Sequence, residues 1–321
     1  MPDTVIVVPD DFPSIFKGTP AEQRCARLGE IRVFSERGAD AETELSRRLE
    51  GASVAINIRA HAHFTDKVFA ACPQLKLVSI WGTGTDNIDL QSAQRRGVTV
   101  CNTAGVNANA VAEHTIALML AVARRIPKLD GEMRTGAWPR EMLTQLLGKT
   151  LGVFGTGAIG MRVIALAKAL GMEVLAWSAR GDTPRILTTG ARVAGKEEIL
   201  LEADVVSLHL RLSPETRGFL GERELGMMKQ PAILINTGRG ALVDKAALLA
   251  ALERGELSAG LDVFHEEPTK AGDALLTLPN VVLSPHNSGQ TPEVVRDGLL
   301  RVVENIENFL RGQPTGVVVQ P

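Results

Sequence analysis

Three glycines near the middle of the chain, Gly155, Gly157 and Gly160, have the spacing G-x-G-x-x-G. The first permits a tight turn out of a strand, the second lets the backbone approach a pyrophosphate, and the third lets the next helix pack on the sheet. Ala158 and Ile159 complete the motif and begin a helical run whose first N–H groups would meet the phosphates. An apolar run precedes the motif, so the pattern predicts a dinucleotide site.

The coenzyme is predicted from the residue that ends the next strand. Sites selective for NAD usually place Asp or Glu about 20 residues beyond the first glycines, where the carboxylate holds the ribose hydroxyls. Here Ser178 occupies that position, and Arg180 and Arg185 follow it. A carboxylate would repel a 2′-phosphate, whereas a hydroxyl with a guanidinium nearby suits one. The sequence therefore favours NADP(H), with NAD(H) as the alternative, and predicts Ser178 and Arg180 as cofactor contacts unless Arg180 is only a solvated loop charge.

Length and charge limit the classes of protein that the chain can represent. At 321 residues it is long for a single core and suits two domains. Its net charge of −2, without a basic patch, gives no footprint for nucleic acid. The N-terminus lacks the features of a signal peptide, and the most apolar helical stretch, residues 115–122, is too short to span a bilayer. We expect a cytoplasmic protein with neither nucleic acid nor a membrane as partner.

The spacing of cysteine and histidine indicates neither a disulfide framework nor a metal site. Cys25, Cys72 and Cys101 are odd in number and far apart. His61 and His63 could belong to a metal site, but no second group of ligands lies near them in the sequence. We therefore expect buried structural cysteines and no metal.

Short aliphatic runs alternate with helical stretches, which is typical of α/β domains with parallel sheets. Strands are predicted near residues 5–8, 31–34, 54–58, 75–80 and 98–100, and again near residues 150–154, 174–177, 205–210, 232–236, 260–263 and 281–283. A long helix over residues 107–125 would connect the two sets. The last helical run, residues 292–311, is predicted to return to the first domain.

These elements predict two Rossmann-like or flavodoxin-like domains, with the second inserted into the first. The substrate-binding domain would comprise residues 1–101 plus 288–321, and the dinucleotide-binding domain residues 102–287. The second set has the six strands of the doubly wound fold, in which ligands bind at the carboxyl ends of the strands.

Four further motifs resemble those of the D-isomer-specific 2-hydroxyacid dehydrogenase family. They are Asn-Thr-Gly-Arg-Gly at residues 236–240, Gly-Leu-Asp-Val-Phe at 260–264 with Glu-Glu-Pro at 266–268, Ser-Pro-His at 284–286, and Val-Ala-Glu-His at 111–114. Together with the glycine motif, the resemblance covers nearly the whole chain. It implies an NAD(P)-dependent oxidoreductase that interconverts a small 2-keto acid and a D-2-hydroxy acid.

Three residues of these motifs fit the reduction of a 2-keto acid, which needs hydride, a proton for the developing alkoxide, and positive charge near the substrate oxygens. His286 follows a predicted strand and is the expected proton donor, because imidazole ordinarily titrates near neutrality. Glu267 would hydrogen-bond that imidazole, fix its tautomer and favour its protonated form. Arg239 offers a planar fork for the carboxylate and the carbonyl oxygen. All three are expected to be catalytic, and Arg239 also to bind substrate.

Further cofactor contacts follow from the resemblance alone. Asp262 would hold the nicotinamide carboxamide, unless it is only a turn residue. The other expected cofactor contacts are Val111, Leu210, Arg211, Thr237 and Gly289. Asn107 would face the nicotinamide ring together with Val111, and is also an expected substrate contact.

Substrate contacts are expected after two strands of the first domain. The backbone N–H groups around Gly82, Thr83 and Gly84 are predicted to form a nest for the substrate carboxylate. Arg59 matches, by resemblance, an arginine that faces substrate in phosphoglycerate-type relatives. An ordinary surface arginine would fit that position equally well.

Departures from the family leave the choice of substrate open. Relatives often carry proline at the position of Arg211, and Glu267 differs from the amide-bearing partner of histidine in formate dehydrogenases. Glyoxylate or hydroxypyruvate is favoured, with 3-phosphoglycerate as the alternative, which would need more cations near Arg59 than His61 alone. A non-catalytic, cofactor-sensing interaction protein is the alternative of another class. By resemblance, we expect a homodimer, with residues 133–138 as a candidate contact.

Overall fold

The computed structural model describes residues 4–59, 61–179, 181 and 183–321. In it the chain forms two compact units. Unit 1 comprises Met1–Asn107 and Thr291–Pro321, and unit 2 comprises Ala108–Gln290. The chain therefore crosses from one unit to the other twice.

Unit 1 is built on a six-stranded sheet. Its strands are β1 (Val5–Val8), β2 (Glu30–Val33), β3 (Val54–Asn57), β4 (Leu77–Ile80), β5 (Thr99–Asn102) and β13 (Val317–Val319). They lie in the order β13-β5-β4-β3-β1-β2, and only β13 is antiparallel to its neighbour, β5. The parallel part has the 2-1-3-4-5 order of flavodoxin-like folds, which confirms the predicted class. The edge strand β13 was not predicted.

Helices pack on both faces of this sheet. They are α1 (Pro20–Cys25), α2 (Glu42–Arg48), α3 (Asp66–Ala71), α4 (Leu90–Arg95) and α12 (Pro292–Leu310). Thr291 is the N-cap residue of helix α12: its hydroxyl accepts the N–H of Val294 at 3.3 Å, and Pro292 follows in the first turn. Its buried face packs on the sheet through apolar residues at helical spacing, namely Leu299, Val302, Val303 and Ile306. The chain thus returns to the sheet of unit 1 after the last strand of unit 2.

Unit 2 is built on a seven-stranded parallel sheet. Its strands are β6 (Thr150–Phe154), β7 (Glu173–Trp177), β8 (Arg192–Val193), β9 (Val205–Leu208), β10 (Ala232–Asn236), β11 (Leu257–Leu261) and β12 (Val281–Leu283). They lie in the order β12-β11-β10-β9-β6-β7-β8. The direction of winding reverses between β6 and β9, which is where a doubly wound sheet binds its ligand. Six of these strands were predicted, and the two-residue β8 was not.

The helices of unit 2 include the predicted connector. They are α5 (Ala108–Ala123), α6 (Ile126–Arg134), α7 (Ala158–Ala169), α8 (Thr183–Leu187), α9 (Lys196–Glu202), α10 (Glu222–Met227) and α11 (Lys245–Glu253), with short 3₁₀ turns at Gly240–Leu242 and Ala274–Leu276. Helix α5 begins where the chain enters unit 2, and it packs on α7, β10 and β11. It therefore lies close to the strands whose ends carry the candidate catalytic residues.

The central strands of both sheets are buried on both faces. Strands β3, β4 and β5 are buried at every position, and so are β9 and β10, which explains why they are continuous apolar runs and do not alternate with polar residues. In the part of the chain that the structure describes, no helix is long and apolar enough to cross a membrane. Among those same residues, no group of three or more His, Cys, Asp and Glu side chains could hold a metal ion. All three cysteines are buried and have free thiols.

Candidate active site

The glycine motif forms the turn between β6 and α7. Gly155 has a φ of +100°, and a Cβ added there would lie 2.5 Å from the carbonyl oxygen of His209. A Cβ at Gly160 would lie 1.9 Å from the carbonyl oxygen of Gly155, so this glycine is required by packing. A Cβ at Gly157, by contrast, would meet no described atom within 4 Å. The first and third glycines therefore shape the turn, and the second leaves the approach to the helix open.

This turn fits a pyrophosphate. Gly157 is the N-cap residue of α7 and has no side chain to bond the first N–H groups, which leaves them to an anion. Ala158 and Ile159 form the first turn of α7 behind it. Between β6 and the helix, the buried Thr156 Oγ1 has no hydrogen-bond partner within the described residues. The residues present therefore match the requirements of a bound dinucleotide.

A cavity lies beside the carboxyl end of β7, where Ser178 was expected to contact the coenzyme. It has a volume of about 380 Å³ and is lined by Trp177, Ser178, Gly181, Thr183, Ile186, Val193, Ala194, Gly195 and Glu198. The carboxylate of Glu198 forms an ion pair with Arg192 and accepts the N–H of Gly195 at 3.3 Å, so its charge is compensated within the fold. Arg180, the second expected contact, lies outside the described residues.

His286 and Glu267 form a close hydrogen-bonded pair. The distance from His286 Nδ1 to Glu267 Oε2 is 2.6 Å, and Glu267 Oε1 accepts the N–H of Phe264 at 2.8 Å. Burial disfavours the charge of Glu267. The hydrogen bond from His286, the charges of His286 and Arg239, and the Phe264 N–H nevertheless hold the pKa of Glu267 below its usual value. The carboxylate is therefore ionised near neutrality and can accept from a histidine N–H.

Arg239 follows β10 and belongs to the same group, since its charge acts on Glu267. The loop that carries it is braced by Asn236, whose side-chain NH₂ donates to the carbonyl oxygen of Arg239 at 2.9 Å and whose amide oxygen accepts the N–H of Gly238 at 3.0 Å. Arg239 Nη1 also donates to the carbonyl oxygen of Gly238 at 2.8 Å. The structure thus brings Arg239, Glu267 and His286 together at the ends of β10, β11 and β12.

Asp262 lies under the loop that carries His286 and is completely buried. Its Oδ1 accepts the hydroxyl of Ser284 at 2.6 Å and the N–H of Asn287 at 3.1 Å, while Oδ2 accepts the N–H of Ser288 at 3.1 Å. One lone pair of Oδ2 remains for a further donor. This carboxylate therefore organises the loop in addition to the cofactor role that the family resemblance implies.

The other expected cofactor contacts of unit 2 lie along its loops and on α5. The carbonyl oxygen of the buried Val111 accepts the hydroxyl of Thr115 at 2.7 Å, and that hydroxyl lies 3.0 Å from the Thr237 hydroxyl. The half-buried Leu210 and the exposed Arg211 follow the end of β9. Gly289 lies in the turn closed by the hydrogen bond from the Gln290 N–H to the Asn287 carbonyl, 2.8 Å.

The expected substrate contacts Arg59, Gly82, Thr83, Gly84 and Asn107 all belong to unit 1. The N–H of Gly82 donates to the Thr103 hydroxyl at 2.8 Å, so the predicted nest has to rely on the N–H groups of Thr83 and Gly84. The carbonyl oxygen of Thr83 accepts the side-chain amide of Asn102 at 2.9 Å, which fixes this loop. Asn107 Oδ1 is buried and finds no partner in the described part of the chain.

Arg59 is half-buried at the end of β3. Its Nη2 donates to the carbonyl oxygen of Pro13, and burial lowers the pKa of its guanidinium against the opposing effect of Asp11 and Asp10. Both carboxylates are buried, and Asp10 also contacts His61 Nε2 at 3.0 Å. Arg59 is thus held by its own unit and faces two negative charges.

Several contacts of the site were not assigned from the sequence. They involve Asn236, Thr115, His114 and Ser284. Asn236, His114 and Ser284 lie inside the family motifs, and Thr115 directly follows one of them. Membership in these motifs was the only sign in the sequence that these residues could belong to the site. The partners of Thr115 and His114 lie 122 and 170 residues away in the chain, so the motifs could not reveal these contacts, whereas Asn236 bonds atoms of its own motif.

The strand order and the glycine turn place the molecule among the dinucleotide-binding α/β proteins. A family model described as "D-isomer specific 2-hydroxyacid dehydrogenase, NAD binding domain" matches residues 116–288. A glyoxylate reductase of Aeropyrum pernix is 41% identical over 263 residues, which cover 78% of this chain and 78% of that protein. The chain belongs to the family of D-isomer specific 2-hydroxyacid dehydrogenases, as its motifs predicted, and it is an NAD(P)-binding oxidoreductase of that family.

Other relatives differ in the substrates and coenzymes that their names and complexes give. A D-3-phosphoglycerate dehydrogenase of Methanocaldococcus jannaschii is 38% identical over 295 residues, covering 89% of this chain and 54% of that protein. The structure of an acyclic imino acid reductase in complex with NADPH and D-Arg has a TM-score of 0.90 and 28% identity, covering 98% of this chain and all of that one. The structure of a D-lactate dehydrogenase of Aquifex aeolicus with NAD and lactic acid has a TM-score of 0.87 and 28% identity, covering 99% of this chain and all of that one. The shared fold therefore occurs with either coenzyme.

Proposed function

We propose that this enzyme reduces a small, unphosphorylated 2-keto acid, glyoxylate or hydroxypyruvate, to the corresponding 2-hydroxy acid, with D configuration where the product is chiral. The observation that carries the proposal is the 2.6 Å contact between His286 Nδ1 and Glu267 Oε2, with Arg239 near enough for its charge to act on Glu267. His286 is thus a proton donor with a fixed tautomer, and Arg239 is a cation for the substrate oxygens. The similarity to glyoxylate reductases supports the choice of substrate.

The pair assigns the two nitrogens of His286 to different tasks. Because an ionised carboxylate can only accept, the contact with Glu267 requires a proton on Nδ1. Nε2 is then the atom that gives its proton to the substrate oxygen as negative charge develops there. After transfer the imidazole is neutral. Nδ1 keeps its proton, which remains hydrogen-bonded to Glu267. Glu267 thereby favours the form of His286 that can donate.

Arg239 supplies the positive charge that the reaction needs. Its planar guanidinium matches a carboxylate with two parallel hydrogen bonds and can also polarise the neighbouring carbonyl group. Because Asn236 fixes the loop on both sides of Arg239, the guanidinium is held in place before substrate binds. This arrangement supports combined binding and transition-state stabilisation.

We infer that the coenzyme is NADP(H), held by the glycine turn and the end of β7. When bound, a reduced nicotinamide coenzyme supplies the hydride. The residue after β7 is Ser178, so this position carries a hydroxyl in place of the carboxylate that would repel a 2′-phosphate. The NADPH complex of the imino acid reductase supports this choice, whereas the NAD complex of the lactate dehydrogenase illustrates the alternative.

A matrix of NADH and NADPH against glyoxylate, hydroxypyruvate and phosphohydroxypyruvate tests both proposals. We expect the highest kcat/KM with NADPH and an unphosphorylated acid. Preference for the phosphorylated acid would overturn the substrate assignment, and coenzyme binding without turnover of any acid would indicate a cofactor-sensing role. The variant Ser178→Asp should reduce kcat/KM with NADPH far more than with NADH. An unchanged ratio of kcat/KM between NADPH and NADH would show that Ser178 does not select the coenzyme.

The surroundings of Arg59 favour the unphosphorylated class. A phosphate carries about two negative charges near neutrality and requires cations that are not already compensated. Arg59 faces the buried carboxylates of Asp10 and Asp11 and donates to the carbonyl oxygen of Pro13. Repulsion from these two carboxylates would oppose a phosphorylated substrate there. We still propose that Arg59 contacts the smaller, unphosphorylated acid.

We also propose that the enzyme is a homodimer joined through an arm, residues 126–147. The arm exposes several large apolar side chains, with Met142 96% and Trp138 74% exposed. Exposed apolar clusters of this kind mark protein contacts, and most soluble oligomers are symmetric dimers. Light scattering should give the mass of a dimer, and the double variant Trp138→Asp/Met142→Asp should give a monomer. Leu201→Asp, at an exposed apolar residue of α9, is the matched control. A monomeric wild-type protein would refute the proposal.

A further inference from the structure

A chain of two hydrogen bonds connects helix α5 with the buried carboxylate under the His286 loop. His114 Nε2 lies 2.7 Å from Ser284 Oγ, and Ser284 Oγ donates to Asp262 Oδ1 at 2.6 Å. His114 Nε2 is itself 3.6 Å from that oxygen. All three residues belong to unit 2. We call this group the α5 clamp.

Counting protons fixes the direction of the first hydrogen bond. A serine hydroxyl has one proton, and here that proton is given to Asp262, whose carboxylate accepts. The short contact between His114 and Ser284 therefore requires a proton on His114 Nε2. His114 must act as a donor, and only a side chain that donates from the same place can replace it.

The clamp ends at the backbone on the C-terminal side of His286. Asp262 accepts the N–H groups of Asn287 and Ser288 at 3.1 Å each. His286 itself has a φ of +51°, a left-handed conformation that residues other than glycine rarely adopt. Such a backbone persists only when its surroundings hold it. The bonds to Asp262 hold the backbone after His286, while Glu267 holds its side chain.

The same stretch of α5 also reaches the other catalytic loop. Thr115, directly after His114, lies 3.0 Å from the hydroxyl of Thr237, two residues before Arg239. His114 comes shortly after the chain enters unit 2, and Ser284 shortly before the chain leaves it. The clamp thus fastens two segments that are distant in sequence at the place where the proton donor is held.

We propose that His114 is a positioning residue for the proton donor: its Nε2–H bonds Ser284, fixes the hydroxyl toward Asp262 and so holds the backbone that sets the direction of the His286 imidazole. His114 acts through Ser284 and Asp262. The proposal rests on the proposed function, because it takes His286 as the proton donor. Loss of the clamp should slow proton transfer. Substrate binding by Arg239 should not change, because Asn236 braces the loop of Arg239 independently.

Three variants at one position separate positioning from general stability. Glutamine places its NH₂ near the location of Nε2 and can donate to Ser284, whereas asparagine reaches only to the location of Nδ1 and alanine donates nothing. We expect His114→Asn and His114→Ala to lower kcat about tenfold, the effect of one lost hydrogen bond, with KM for the 2-keto acid within about twofold. His114→Gln should retain at least about half of the wild-type kcat. Ser284→Ala should match His114→Ala, and the double variant should fall no further.

The controls and a second readout keep the proposal open to refutation. His63→Asn removes an exposed histidine of unit 1 and should leave kcat unchanged. Imidazole ¹⁵N NMR should show His114 protonated at Nε2, and the His286 signals should shift or broaden in His114→Asn but not in His114→Gln. Equal loss of kcat in the Gln and Asn variants, or unchanged His286 signals in all of them, would overturn the proposal. If the wild-type enzyme turned over no 2-keto acid, the NMR result would still decide whether His114 positions His286.

Discussion

Replacing Glu267 with glutamine isolates the contribution of one charge to proton transfer. The substitution keeps the size of the side chain, but an amide has only one accepting oxygen. In the enzyme, one carboxylate oxygen accepts from His286 Nδ1 and the other from the Phe264 N–H. When His286 is protonated, both of its ring nitrogens donate, so the amide NH₂ faces a donor whichever way the amide is turned. Glu267→Gln therefore breaks one of two hydrogen bonds and removes the charge that favours protonated His286.

The size of the effect follows from the kind of bond that is lost. A hydrogen bond to a charged group contributes about 1.5–3 kcal/mol, which corresponds to roughly 10- to 150-fold in rate. The side chains of Glu267 and His286 are 36% and 40% exposed, so water screens the pair and the lower part of the range applies. We expect kcat for reduction of the 2-keto acid to fall by about ten- to thirtyfold.

The pH profile gives a second signature of the same change. Since the pKa of Glu267 lies below its usual value, its carboxylate stays ionised as the pH falls below neutrality and is protonated only when the pH reaches that lowered pKa. In the wild type, the rate of reduction should therefore fall at acid pH as Glu267 is protonated, and Glu267→Gln, which has no carboxylate to protonate, should lack this acid loss.

The adjacent residue provides the matched control for the glutamine variant. Glu266 pairs with Lys270 at the surface, and Glu266→Gln makes the same chemical change one position away. Steady-state kinetics across pH should show a normal profile and rate for this control. If Glu267→Gln kept kcat within about threefold of Glu266→Gln, or if its profile kept the acid loss of the wild type, the assignment of Glu267 would be refuted.

Two further predictions follow from the geometry. Gly160→Ala should prevent folding or lower the melting temperature sharply, because its Cβ would lie 1.9 Å from the Gly155 carbonyl oxygen. Gly157→Ala, whose Cβ would meet no described atom within 4 Å, should melt like the wild type. It should nevertheless lose coenzyme affinity in a fluorescence titration. Equal melting temperatures for the two variants would contradict this. Asn236→Ala should raise KM and lower kcat together, each by a few-fold to tenfold, because the loop of Arg239 loses both braces. A change in kcat alone would show that Asn236 acts elsewhere.

Features that depend on short stretches of chain could be predicted from the sequence. The turn at Gly155 needs a positive φ, and Gly160 sits within van der Waals reach of its own loop, so local geometry alone requires glycine at both positions. The parallel strands of both units were predicted because burial on both faces leaves continuous apolar runs. The assignment of His286, Glu267 and Arg239 as one group came from motifs, and the contact between His286 and Glu267 spans only 19 residues.

Features that depend on distant partners were decided by the tertiary structure. Strand β8 has two residues and β13 three, too few to show a period, and each is a strand only because it pairs with β7 or β5. Arg59 was equally consistent with a substrate contact and a surface charge, and only the fold sets it against Asp10 and Asp11.

The clearest division concerns Asp262 and His114. The sequence identified Asp262 as a cofactor contact or a turn residue, and it assigned His114 no role. In the fold, His114 meets Ser284 across 170 residues, and Asp262 becomes a fully buried acceptor for three donors. The sequence determined which chemical groups the enzyme has, because motifs and periodicity are local. That His114 meets Ser284 was decided only by the packing of α5 against β12, since hydrogen bonds depend on distance in space and not along the chain.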